Sequence, residues 1–163
     1  MGVASIILPQ KLGEKLRERA EERGCLPEEL GIELVLKGLN EELAPEDLVE
    51  HYEMLSEKYL REGEEFLAKG DLVQSSEKLW SAAASAVKMV AAKRGLKLER
   101  HGSLWDFIDK LSEEHKDEEL LRLFHSANSL HRNFYENQMT RRAVEVAGKE
   151  VKMLIERLAV YGR

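Results

Sequence analysis

The chain has 163 residues, 43% of them apolar and 34% charged, and a formal charge of −6 at pH 7. That is enough apolar material for one ordinary domain or two very small ones, and it excludes a disordered tail. The one cysteine, Cys25, cannot form an internal disulfide or a cysteine-based zinc site, and no run approaches the roughly 20 apolar residues that span a bilayer.

In chain order, Val3 to Leu8 is β-prone, alternates, and ends at Pro9, so a short strand is predicted there. Leu12, Leu16 and Ala20 then recur every four residues, which predicts a helix from Gln10 to Arg23 closed by Gly24. A second helix starts near Pro27, with Glu28 and Glu29 at the positive end of its dipole. Ala44-Pro45-Glu46 opens a longer helix, whose stripe includes Leu48, Tyr52, Leu55, Tyr59 and Phe66; Gly63 should weaken it by about 1 kcal/mol. Gly70-Asp71 is a stop followed by a start, and Asp71 can cap a helix running to about Arg94. Its small run Ala82 to Ala86 allows close approach of neighbours. Residues 95–102 read as a loop, and Ser103 as the cap of a short helix. Two more helices follow, at about Asp117–Tyr135 and Thr140–Tyr161. Five amphipathic helices with short connections after Pro45 predict an antiparallel helical bundle. The fold class expected is therefore mainly α: a strand-helix-helix segment at 1–43 followed by a bundle at 44–163.

The strand and two short helices of Val3 to about Leu43 resemble the ribbon-helix-helix family, in which the strand pairs with its copy in a second chain. Independently, one strand and two short helices bury too little surface alone, which also predicts pairing. Val3, Ser5 and Ile7 form the outward face of that dimerisation strand, where the resemblance would place base-reading residues. None is charged, and Glu28 and Glu29 would repel a phosphate at the following turn. The segment is therefore read as a module for self-association, with DNA binding through the ribbon as the alternative.

The stretch from Tyr59 through Gly70-Asp71 to Trp80 and Ala84 resembles the archaeal PaREP family, small helical proteins similar in fold to HEPN domains; Ala127 to Tyr135 fits the same likeness. The resemblance implies a HEPN-like bundle over about 45–160 and an oligomer, but no particular activity. HEPN nucleases use an Arg, often followed by Asn, and a His four to six residues on. Arg132-Asn133 matches the first half, and no His follows His131 anywhere in the chain. Proton transfer by an imidazole is thus missing from that position, and no catalytic residue is assigned.

Charge is uneven. Residues 1–43 carry net −3, 44–120 net −7, and 121–163 net +4. Arg132, Asn133, Asn137, Arg141 and Arg142 are accordingly the candidate contacts for RNA, DNA or a nucleotide. His125, Asn128 or Ser129, and Arg132 share one helical face. The five histidines are scattered, so no metal site is expected; Trp80 and Trp105 read as core or interface anchors. No cofactor-binding loop is present. Met1 to Leu8 lacks a basic start and a long apolar run, so a cytoplasmic chain without a membrane partner is expected. The function expected is a non-enzymatic, self-associating scaffold or accessory protein. The alternatives are a nucleic-acid-binding regulator and a HEPN-type ribonuclease with an incomplete motif.

Overall fold

The computed structural model describes residues 4–162. The described residues form seven helices: α1 (Gln10–Arg23), α2 (Pro27–Leu39), α3 (Pro45–Lys69), α4 (Leu72–Lys93), α5 (His101–His115), α6 (Glu119–Glu136) and α7 (Arg141–Tyr161). The chain divides into two compact units, Met1–Leu43 and Ala44–Arg163.

The predicted strand is a correction. Val3 lies outside the described residues, and Ala4 to Leu8 has no strand geometry; no strand occurs among the described residues. Strand structure needs a ladder partner, and every described element of this chain is a helix. The inward and outward faces expected of the strand are not distinguished either: Ile6 is 72% exposed and Ile7 96%.

In the N-terminal unit, α1 ends at Gly24 in the left-handed conformation, φ +68°, which costs a residue without a Cβ little. Glu29 reaches back from the first turn of α2 and accepts a hydrogen bond from the Leu26 N–H at 3.1 Å. Arg23 and Glu33 pair across the two helices at 3.0 Å. Among the described residues of this unit, Ala20 and Leu30 are the apolar residues that are buried.

The second unit is organised around α4, which packs against α3, α5, α6 and α7. Its residues from Leu79 to Ala92 are buried without interruption, as expected of a helix surrounded by others. Asp71 caps α4 by accepting from the Gln74 N–H at 3.0 Å. Ser56 Oγ donates to the Ala82 carbonyl (2.9 Å) and Ser75 Oγ to the Gly63 carbonyl (2.7 Å). These two bonds fix α3 and α4 antiparallel and satisfy two buried hydroxyls on the bundle's own backbone. Gly63 is required by packing. A Cβ there would lie 2.8 Å from Leu79 Cδ2 and Cγ, and at Gly148 of α7 a Cβ would lie 3.2 Å from Leu79 Cδ1. Leu79 is thus a knob seated between glycines of two helices.

α5 begins at His101, two residues ahead of the predicted Ser103 cap. Asp117, before α6, ties the far end of α7 to this junction. Its Oδ2 accepts from Arg157 Nη1 and from Tyr161 Oη, both at 2.6 Å. Burial pushes the Asp117 carboxyl up, but the Tyr161 and Arg157 hydrogen bonds outweigh it and hold the group below its ordinary value.

Candidate functional site

The densest gathering of chemically versatile side chains lies where α4, α5 and α6 meet. Trp80 sits on α4, 7% exposed. The His101 and His131 rings stack on each other at 5.1 Å and 22°, and each lies against the Trp80 indole, at 5.0 and 4.8 Å. Tyr135, one turn after His131, meets it edge-on at 5.5 Å. His101 Nε2 is hydrogen-bonded to Asn128 Oδ1 at 2.8 Å. Beside them, Trp105 packs edge-on against Phe124 at 4.5 Å and lies 6.2 Å from the His125 ring. Local sequence explains half of this: Asn128, His131 and Tyr135 are spaced to share a face of α6. The other half is tertiary, because His101 and Asn128 are 27 positions apart.

Burial, and next the charge that His101 would carry, lower the His131 pKa. Its imidazole is therefore neutral at pH 7 and serves as a flat ring. Among the described residues, no three His, Cys, Asp or Glu side chains converge as metal ligands would. The rings of the cluster pack on one another across α4, α5 and α6.

The residues singled out from the sequence fall around the α6–α7 hairpin, with differing roles. Asn133 is 2% exposed. Its Nδ2 donates to Ser76 Oγ (2.9 Å), and its Oδ1 accepts from the N–H groups of Gln138 (2.9 Å) and Met139 (2.8 Å). It ties α6 to α4 and shapes the hairpin. Arg132 is exposed and reaches Glu136 at 3.4 Å. Asn137 ends α6 in the left-handed conformation, φ +49°. Arg141 pairs with Glu145 at 3.0 Å. Arg142 is exposed and lines an open groove of about 430 Å³ with Ser126, Ser129, Thr140 and Glu150; Ser126 Oγ donates to Glu150 across it. The structure thus brings Arg142 and Ser129 to one groove, while the buried Asn133 side chain is committed to Ser76 and the hairpin. Of the other predicted residues, Ser5 and Ile7 are exposed in the N-terminal unit.

A family model, described as the archaeal PaREP1/PaREP8 family, matches residues 51–155. The chain belongs to this family. The match covers α4 to α6 whole, with most of α3 and α7. The chain is also similar to a solved structure, the crystal structure of a protein from Sulfolobus solfataricus, at 27% identity and a TM-score of 0.58, covering 66% of this chain and 95% of that one. No curated protein matches the chain. No helix among the described residues is long and apolar enough to cross a membrane.

Sequence reasoning missed the stacked His101–His131 pair, for which no spacing gives a signal. It also passed over a second feature that was legible. Val146, Met153 and Val160 recur every seven residues on α7, and all three are exposed, by 48%, 45% and 57%.

Proposed function

We propose that this PaREP-family protein is a non-enzymatic helical accessory protein that works by self-association, with its N-terminal unit as one of the surfaces through which chains meet. One observation carries this reading. The N-terminal unit leaves Ile6, Ile7, Leu8, Leu12, Leu34, Val35 and Leu39 exposed, by 39% to 96%. Fully burying a side chain of this kind is worth about 1.5–3 kcal/mol relative to leaving it wholly exposed, and proportionately less where it is already half-covered; a two-helix unit of this size is marginal by itself. A second copy covers these residues without requiring another component. The bundle's likeness to HEPN-type domains, which commonly pair through their helices, points the same way as an analogy of fold.

The test is the native mass of the full chain over a dilution series, compared with a variant carrying Leu12→Ser, Leu34→Ser and Leu39→Ser. These positions are exposed, so the substitutions spare the buried residues of the unit. The variant is expected to dissociate at a concentration at least about tenfold higher. Identical dissociation of the two chains would remove the N-terminal unit from the proposal.

A further inference from the structure

We infer that the outer face of α7 is a second contact, independent of the N-terminal unit, and that its occupant is α7 of another copy of this chain. An α-helix advances about 10 Å in seven residues and drifts only about 20°. Val146, Met153 and Val160 therefore form one straight apolar line along the side of α7 opposite its buried residues Val144, Val151 and Leu158. Soluble chains expose single apolar side chains freely, but a heptad line of three on one helix is a continuous strip that supplies one of the two core positions per heptad of a helix pair, with charged residues at the other.

The charges beside the line identify the partner. Lys149 and Glu156 flank it on one side, Glu150 and Arg157 on the other. Suppose two copies pair with Met153 against Met153. Run antiparallel, the twofold brings Glu150 of each copy to Arg157 of the other, and Lys149 to Glu156. Run parallel, it brings Glu150 to Lys149 and Arg157 to Glu156. Neither direction places like charges together, so the face is complementary to itself. Arg157 can serve in this way while bound to Asp117, because its side chain remains 40% exposed. A groove suited to some other helix would carry no such requirement of self-complementarity.

This inference adds to the self-association proposed above and uses no residue of the N-terminal unit, so the two fail separately. The position on the twofold gives a direct test. The full chain is prepared with Cys25→Ser and Met153→Cys, and oxidised with copper–phenanthroline. A second chain with Cys25→Ser and Asp109→Cys, an exposed position on α5, is the control. M153C is expected to give a disulfide-linked pair in yield at least about tenfold above D109C. Equal yields overturn the α7 contact, as does cross-linking of M153C only to added unrelated protein. In a parallel measurement without cross-linking, Met153→Lys is expected to raise the dissociation constant of the native chain at least about tenfold. An unchanged constant counts against the contact even if M153C cross-links. Loss of the N-terminal effect with a retained M153C cross-link would remove the earlier reading and leave this one standing.

Discussion

At the scale of single residues, Asn133 shows how a polar side chain in a candidate site can instead be structural. Its side chain makes hydrogen bonds to Ser76, Gln138 and Met139 from a position 2% exposed. Asn133→Ala would leave two hairpin N–H groups without their acceptor, and is expected to lower stability by about 2–4 kcal/mol in denaturant unfolding. A change below about 0.5 kcal/mol would mean that water replaces the side chain at no cost. His131 offers a second residue-scale prediction. Burial, then His101, lower its pKa below the ordinary 6.5, so the folded chain binds a proton there less readily than the unfolded chain. The contribution is complete above the unfolded value and is lost as pH falls below it, towards the folded value. The unfolding midpoint should fall between about pH 7.5 and about pH 5, and fall less in His131→Phe. Equal pH dependence in the two chains would show that the ring pair does not couple to folding. Of this chemistry, the sequence showed the i, i+3 and i, i+4 neighbours on α6. It did not show His101, which arrives from another helix.

At the scale of elements, glycine positions separate packing from propensity. From the sequence, Gly63 reads as a weak point in a long helix. In the bundle it is the surface that admits Leu79, a side chain 1% exposed and held between Gly63 and Gly148. Gly63→Ala is therefore expected to destabilise by about 1–3 kcal/mol through overpacking, despite the better helix propensity of alanine. Gly148→Ala, whose Cβ would meet a Leu79 methyl at 3.2 Å, should lie within about 1 kcal/mol of neutral, because propensity offsets the contact. Thermal or denaturant unfolding of the two variants checks the order; a reversed order would mean that Leu79 leans on α7 rather than α3. Most helix limits were legible because apolar period and cap chemistry agree. Thr140 accepts from the Ala143 N–H at 3.2 Å, and α1 spans its predicted residues. The strand was not legible as present or absent, since alternation describes a side-chain pattern while a ladder needs a second strand. α5 starts early because the Arg100 carbonyl accepts from the Ser103 N–H at 3.0 Å, a turn that needs no side-chain cap.

At the scale of the molecule, the net charge of −6 and the one-domain length conceal two different economies of burial. The bundle encloses α4 and satisfies the buried hydroxyls of Ser56, Ser75 and Ser76 and the Asn133 amide inside, while Ser85 Oγ of α4 is buried without a partner. The N-terminal unit holds most of its described large apolar side chains at its surface, and α7 holds three more in a line. In the sequence the two sets of apolar residues look alike, because periodicity marks an apolar face without saying whether this chain or another one covers it. The structure adds that this chain leaves the second set exposed, which is the observation that the proposed self-association rests on. The most direct measurement is the native mass of the full chain across micromolar dilution. The account predicts a particle of at least two chains that dissociates on dilution, earlier when Leu12, Leu34 and Leu39 are serines. A particle of 18.7 kDa, one chain, at every concentration would contradict it.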